Sequence, residues 1–105
     1  MYNKLVLELL LHKKQYEEAI KTFSTNIQYF RNEGDFLKMI NKARELRRFE
    51  DVDRISKRWL KINPTNVSAH KISFSNYVEL ADYSSADYHL KYLFEKYNEK
   101  NNKSY

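Results

Sequence analysis

A short motif occurs three times along the 105-residue chain at nearly constant spacing. Each copy opens on an aromatic side chain, and the copies cover residues 16–20, 49–53 and 83–87. The opening aromatic residues are separated by 33 and then 34 positions. A period of this length is typical of helix-turn-helix repeats that stack into a solenoid, because one such unit cannot bury its apolar face alone. The period therefore predicts a single domain of three repeats, over about residues 1–33, 34–67 and 68–100.

The composition favours long helices with short connections. One Gly and one Pro leave few helix breakers. Nine Tyr, six Phe and one Trp supply enough apolar material for a packed core, although the mean hydropathy is low. The absence of Cys excludes disulfides, thiolate metal sites and cysteine nucleophiles. We therefore predict an all-α domain of about six antiparallel helices.

Apolar residues three and four positions apart indicate where these helices lie. The first repeat is predicted to contain helices over residues 2–13 and 16–31. The second contains one helix from Phe36 to a turn near residues 47–48, and another that ends at Ile62. The third contains helices over residues 67–80 and 83–97, followed by a polar, frayed tail at 98–105.

A glycine, a proline and polar capping residues predict where helices end and begin. Gly34 is expected to end the second helix in the left-handed conformation, and Asp35 to cap the third helix. Pro64 prevents the fourth helix from continuing, so Thr65 or Asn66 is expected to cap the fifth.

Particular residues recur at matching places in the three repeats. A small residue stands early in each second helix, at Ala19, Val52 and Ala86. A large residue follows four positions later in two repeats, at Phe23 and Leu90. A proline, Pro64, closes one repeat. These features resemble the tetratricopeptide family over nearly the whole chain. The departures are Ser56 at the large position and Lys14, Arg47 and Ala81 in place of the turn glycine. The resemblance implies a right-handed solenoid that binds other proteins, and residues 5–93 also resemble tetratricopeptide segments of bacterial envelope and assembly proteins.

In that family the first helix of each repeat lines a concave groove. Carried over by helical face, the groove would contain Lys4, Glu8, Leu11 and His12 from the first repeat, Leu37, Asn41, Arg44 and Glu45 from the second, and Lys71, Ser75, Val78 and Glu79 from the third. Such a mixture of charged and apolar side chains suits a bound peptide or partner helix. The alternative is that these residues form ordinary solvated helix faces.

One subclass of the family holds a partner's C-terminal carboxylates with a lysine, an asparagine and further basic residues. Lys4 fits the first place, but Glu8 stands where the asparagine belongs, and Ser68 and Ile72 replace the later basic residues. A carboxylate next to an anion site would repel the ligand. The sequence therefore predicts that this carboxylate clamp is absent.

Positive charge is concentrated in the middle repeat. The net charge is +5 for the chain, and the basic side chains cluster at Arg44, Arg47, Arg48, Arg54, Lys57, Arg58 and Lys61. Arginine forks suit carboxylate or phosphate groups, so a patch that binds an acidic ligand is one interpretation. Local pairing with Glu45, Glu50, Asp51 and Asp53 is the alternative. Nucleic acid is disfavoured, because no recognised binding motif accompanies the charge.

The last predicted helix carries more tyrosines than one packed face requires. We expect Tyr88 and Tyr92 to lie outward on an end face, where a solenoid has another repeat or a capping helix. Together with the apolar first helix, this predicts a partner or a second copy at an end of the domain, with partial exposure of the tyrosines as the alternative.

Catalytic chemistry is poorly supported by the sequence. His12, His70 and His89 fall in different repeats without the spacing of metal ligands, so we expect ordinary surface histidines, no metal and no cofactor. Adjacent carboxylates such as Glu17 and Glu18 stand where they favour a helix N-terminus. A single Gly leaves no phosphate-binding loop.

The chain contains no apolar run long enough to span a bilayer, since Glu8 interrupts residues 5–11. No export signal is visible, so a cytoplasmic location is expected, or a periplasmic or envelope location if the chain is a processed or truncated fragment. The predicted function is a non-catalytic interaction module or adaptor that binds another protein. The alternatives are a self-associating structural subunit and a binder of an acidic ligand.

Overall fold

The structure is a computed structural model that describes residues 2–102. It contains six α-helices: α1 (Tyr2–His12), α2 (Tyr16–Thr25), α3 (Glu33–Glu45), α4 (Phe49–Ile62), α5 (Val67–Glu79) and α6 (Tyr83–Asn102). A short 3-10 helix, Ile27–Tyr29, follows α2. Over the described residues there is no strand, so the prediction of an all-α chain with six helices is confirmed.

The same tight turn follows α1, α3 and α5. Its central residue has a left-handed backbone, with φ of 59° at Lys14, 57° at Arg47 and 58° at Ala81. The next residue in each turn donates its N–H to the carbonyl five positions back, at 2.8–2.9 Å. This bond closes a helix C-terminus in the Schellman arrangement, which usually uses glycine at the left-handed position. The turns therefore repeat at the period of the sequence without the glycine.

The second helix is shorter than predicted. α2 ends at Thr25, and the side-chain amide of Asn26 as well as its backbone N–H donates to the carbonyl of Thr22. The chain continues through the 3-10 helix, and Phe30 returns to the core. The prediction of one helix over residues 16–31 is therefore wrong in its last turn and a half.

The predicted roles of Gly34 and Asp35 are also wrong. Gly34 lies inside α3 with no positive φ, and Asn32 caps the helix by accepting the N–H of Asp35 at 3.1 Å. A Cβ at Gly34 would lie 2.9 Å from Asn32 Oδ1, so the glycine leaves room for this capping oxygen. At α5 the expected cap is confirmed, because Asn66 accepts the N–H of Ala69 at 2.8 Å.

The last helix is longer than predicted. α6 continues to Asn102, so residues 98–102 of the expected frayed tail are helical, and residues 103–105 lie outside the described residues.

An aromatic chain forms the centre of the core. Phe23 packs against Phe30 and Phe36, and Phe36 in turn approaches Trp59, with ring centroids 4.4–6.2 Å apart. These rings come from α2, its following loop, α3 and α4, so they join the first two helix pairs. The small residues Ala19, Val52 and Ala86 are all buried where the paired helices approach.

A single carboxylate connects three helices. Glu33, at the start of α3, accepts hydrogen bonds from Trp59 Nε1 of α4 and from the side-chain amides of Asn63 and Asn66. The bond from Trp59 and then that from Asn63 lower the pKa of Glu33. Because Asn66 also caps α5, this cluster sets where the third helix pair begins.

Successive helices contact each other along the chain, and α2 also contacts α4. The Cα trace measures 51 × 28 × 19 Å along its principal axes. The second helices of the first two pairs, α2 and α4, therefore come side by side, and α4 lies between α3 and α5 in the order of contacts.

Candidate protein-binding groove

A cleft of about 510 Å³ lies between α3 and α5. Its lining comes from α3, the turn that follows it, the start of α4, and α5: Asn41, Arg44, Glu45, Arg47, Phe49, Ser75, Asn76 and Glu79. Five of these residues are among those that the sequence assigned to the groove: Asn41, Arg44, Glu45, Ser75 and Glu79. These five residues, which the family resemblance implied, therefore lie at one cleft.

The charges in the cleft are unevenly paired. Arg47 lies 3.9 Å from Glu79 and over the ring of Phe49. Glu45 pairs with Lys42 at 3.2 Å. Arg44 has no ion pair or hydrogen bond with any described residue, although it is exposed on the cleft wall. Arg44 is therefore the cation in this cleft that is available to an incoming carboxylate.

Sequence reasoning missed Asn76, which is buried in the cleft wall. Its Nδ2 donates to the carbonyl oxygen of Phe49 at 2.9 Å and so ties α5 to the start of α4. Its Oδ1 has no hydrogen-bond partner among the described residues. The sequence does contain a signal for this role. Asn76 lies one helical turn after the apolar Ile72 and so on the same inward face, where an amide needs a buried hydrogen-bond partner.

The remaining predicted groove residues do not line this cleft. Lys4 donates to both carboxylate oxygens of Asp35 at 2.7 Å and lies 3.6 Å from Glu8. These bonds to Asp35 raise the pKa of Lys4. Lys4 therefore joins α1 to α3, and its ammonium group is already paired. His12 is exposed at the end of α1, and Lys71 borders a different cleft between the start of α5 and the end of α6.

The arginines of the middle repeat do not form one cationic patch. Arg48 pairs with Asp51 at 2.8 Å and with Glu17 at 3.6 Å. Arg58 donates to the carbonyl oxygens of Gln28 and Phe30 at 3.0 and 3.3 Å. It therefore holds the loop after α2 against α4.

Arg54 and Arg47 are two further arginines of the middle repeat. Arg54 is exposed and has no ion pair with a described residue. Arg47 and Arg48 lie in the turn after α3, so they do not share a helical face with Arg44.

Two of the three histidines are buried, so the expectation that all are surface residues is wrong. Nδ1 of His70 lies 2.9 Å from Nδ1 of His89, and Nε2 of His70 lies 2.8 Å from the carbonyl oxygen of Pro64. A carbonyl only accepts, so Nε2 of His70 carries the proton and His89 donates to Nδ1 of neutral His70. Burial is the main cause that lowers the pKa of His89; the unfavourable electrostatic interaction that arises when both rings are protonated adds to it, and Asp53 opposes both.

The two end-face tyrosines occupy different environments. Tyr88 is exposed on α6. The ring of Tyr92 instead stacks on His70 with centroids 3.8 Å apart, and its hydroxyl is buried without a hydrogen-bond partner among the described residues. The expectation that Tyr92 lies outward is therefore wrong, because the histidine pair draws its ring against α5.

Two kinds of feature are absent from residues 2–102. Within that span no helix has the length and apolar character needed to cross a membrane. The same residues contain no group of three or more His, Cys, Asp or Glu side chains that could hold a metal ion.

Comparison with known proteins finds no matching protein-family model, no matching curated protein and no matching solved structure.

Proposed function

We propose that this chain is a non-catalytic protein-interaction module whose three tetratricopeptide-like repeats form a right-handed solenoid, with a partner segment bound in the cleft between α3 and α5. The observation that carries the proposal is the coincidence of five predicted groove residues, Asn41, Arg44, Glu45, Ser75 and Glu79, in one cleft. The identical turns after α1, α3 and α5 support a repeat architecture, because each returns the chain in the same way.

The shape and charge of the cleft favour a peptide or helix of another protein. A space of about 510 Å³ that is bordered by polar and charged side chains holds a few residues of an extended segment. Arg44 supplies an unpaired guanidinium for an acidic side chain, and guanidinium–carboxylate hydrogen bonds are stronger than neutral ones. The bound segment therefore carries at least one Asp or Glu.

A general binder of acidic ligands is less well supported. Arg48 and Arg58 are already engaged by carboxylates and by backbone carbonyl oxygens, respectively. Arg44 and Arg54 have no ion pair with a described residue, and Arg54 does not line the cleft. These residues do not provide the continuous cationic surface that a polyanion requires.

A displayed library of random peptides, selected against the purified chain, tests this function. We expect enriched sequences that contain acidic residues, and we expect their amide shift perturbations to map to residues 41–49 and 75–79. The variant Arg44→Glu is expected to weaken binding of a selected peptide at least about tenfold, since it replaces an attraction by a repulsion.

Arg54→Glu is the matched control, because it makes the same charge change on exposed α4 outside the cleft. It is expected to leave the affinity nearly unchanged. Equal losses in both variants, or shift perturbations elsewhere on the chain, would show that the cleft is not the binding site.

A further inference from the structure

The outer face of α6 is uncovered at positions that are buried in the earlier repeats. Phe23, Ser56 and Leu90 occupy one place in the three repeats, and their exposed fractions are 0%, 1% and 47%. Four positions later, Ile27 and Leu60 are half-buried whereas Phe94 is 63% exposed. Tyr83 is likewise exposed although its counterparts, Tyr16 and Phe49, are not. In α2 and α4 the next helix pair covers this face, and no described residue does so in α6.

The first helix has the complementary exposed face. Leu5 and Leu9 of α1 are 68% and 53% exposed. Their counterparts in α5 are Ile72 and Asn76, which are buried where α5 packs on α4. Their counterparts in α3 are Lys38, which is exposed, and Lys42, which is half-buried. The face of α1 that would meet a preceding repeat is therefore apolar and has no neighbour among the described residues.

Contacts inside the chain show how two such faces meet. Lys42 of α3 lies over the ring of Tyr16 with its Nζ 4.2 Å from the centroid. One repeat later, Asn76 of α5 donates to the carbonyl of Phe49. Lys42 and Asn76 are the counterparts of Leu9, and Tyr16 and Phe49 are the counterparts of Tyr83. The same joint between two copies would place Leu9 of one against Tyr83 of the other.

We propose that copies of this chain associate head to tail, with the α1 face of one copy, Leu5 and Leu9, packed on the α6 face of the next, Tyr83, Leu90 and Phe94. Burial of these side chains supplies the driving force, as it does in the joint between α4 and α5. Because the two faces differ, the contact is heterologous and each copy keeps a free face, so assembly continues with concentration. This association goes beyond the binding of a partner in the α3–α5 cleft and does not depend on it.

Sedimentation velocity on two charge variants tests the proposal. The unsubstituted chain is expected to increase in mean mass beyond a dimer as its concentration rises to about 1 mM, the range expected for a small interface. Leu9→Glu blocks the α1 face and Phe94→Glu blocks the α6 face, so each variant alone is expected to remain a monomer. An equimolar mixture is expected to form a dimer and nothing larger, because each variant retains the face that the other has lost.

Leu46→Glu is the control, since Leu46 is also exposed but belongs to neither face. It is expected to associate like the unsubstituted chain. Circular dichroism checks that every variant retains its helices. A chain that stays monomeric at the highest concentration would overturn the proposal. Self-association of Leu9→Glu would do so too, because it indicates a symmetric α6–α6 contact.

Crosslinking gives a second measurement that does not rely on charged substitutions. The chain has no Cys, so an introduced cysteine is its sole thiol. A short bismaleimide is expected to join a Leu9→Cys copy to a Tyr83→Cys copy, with little product from either variant alone. Equal yields in all three samples would contradict the head-to-tail contact.

Discussion

At the scale of single residues, the buried polar side chains explain most about the third helix pair. His70 and His89 are 19 positions apart in sequence, yet their imidazoles share a hydrogen bond between α5 and α6. Tyr92 stacks on His70, and Tyr77 stacks on His89 at 5.7 Å between centroids. Burial, together with the nearby Asp53 carboxylate, also raises the pKa of Tyr77. The hydrogen bond of this pair therefore adds to the packing that joins α5 and α6.

The histidine pair predicts a loss of stability in mild acid. The folded pKa of His89 lies below its ordinary value of 6.5, so the unfolded chain binds this proton more readily. The free energy of unfolding is therefore expected to fall as the pH drops through 6.5 and on towards the folded pKa. Urea unfolding between pH 7.5 and 5 measures the slope of the free energy of unfolding against pH.

His89→Asn removes this titration and keeps an amide near His70, so its slope over the same pH range is expected to be smaller. His12→Asn is the control, because His12 is exposed and its removal should leave the slope unchanged. If the slope were identical in all three proteins, the buried pair would not be its source.

At the scale of secondary-structure elements, the three tight turns show how local geometry is kept without the expected residue. Lys14, Arg47 and Ala81 adopt the left-handed conformation that costs an L-residue roughly 1–2 kcal/mol. Each turn nevertheless forms the same 6→1 hydrogen bond. The packing of the flanking helices offsets this strain, so helix pairing determines the turn conformation.

Replacement of Ala81 by glycine is therefore expected to stabilise the fold. Relief of the left-handed strain outweighs the extra unfolded-state entropy of glycine, for a net gain of about 0.5–1 kcal/mol. Chemical denaturation measures the change, and Arg47→Gly should add to it because the turns are separate.

Lys38→Gly is the comparison variant for the turn substitutions. Lys38 is an exposed residue inside α3, where glycine costs about 1 kcal/mol. The prediction is that the free energy of unfolding rises for Ala81→Gly and falls for Lys38→Gly. Destabilisation at both sites would mean that the turn is not strained.

At the scale of the whole molecule, the Cα trace is longer in one direction than in the other two. The Cα radius of gyration is 15.2 Å, and the longest axis is 51 Å. A closely packed domain of this length has a radius of gyration of about 13 Å. The difference leaves the α3–α5 cleft open and separates the α1 and α6 faces by the length of the domain.

Small-angle X-ray scattering of the dilute chain tests this extension. A radius of gyration near 15.2 Å is expected for the monomer, and the Phe94→Glu variant should give the same value at higher concentration. A value near about 13 Å would indicate a closed bundle, in which the cleft could not exist in its present form.

The sequence by itself determined the all-α class, the six helices and the places of the three turns, because these follow from local hydrogen bonding and from the spacing of apolar residues. The groove residues Asn41, Arg44 and Ser75 were instead implied by the resemblance to the tetratricopeptide family, because the period within one helix does not specify which other helix lies beside it. Their role in binding stays a prediction.

Only the tertiary structure decided how polar groups from distant parts of the chain meet. In it Lys4 donates to Asp35, Arg58 donates to the carbonyl oxygens of residues 28 and 30, and His70 is buried against His89. These contacts join residues 19–31 positions apart. Their partners depend on the angles at which helices pack, and no spacing within one helix encodes those angles.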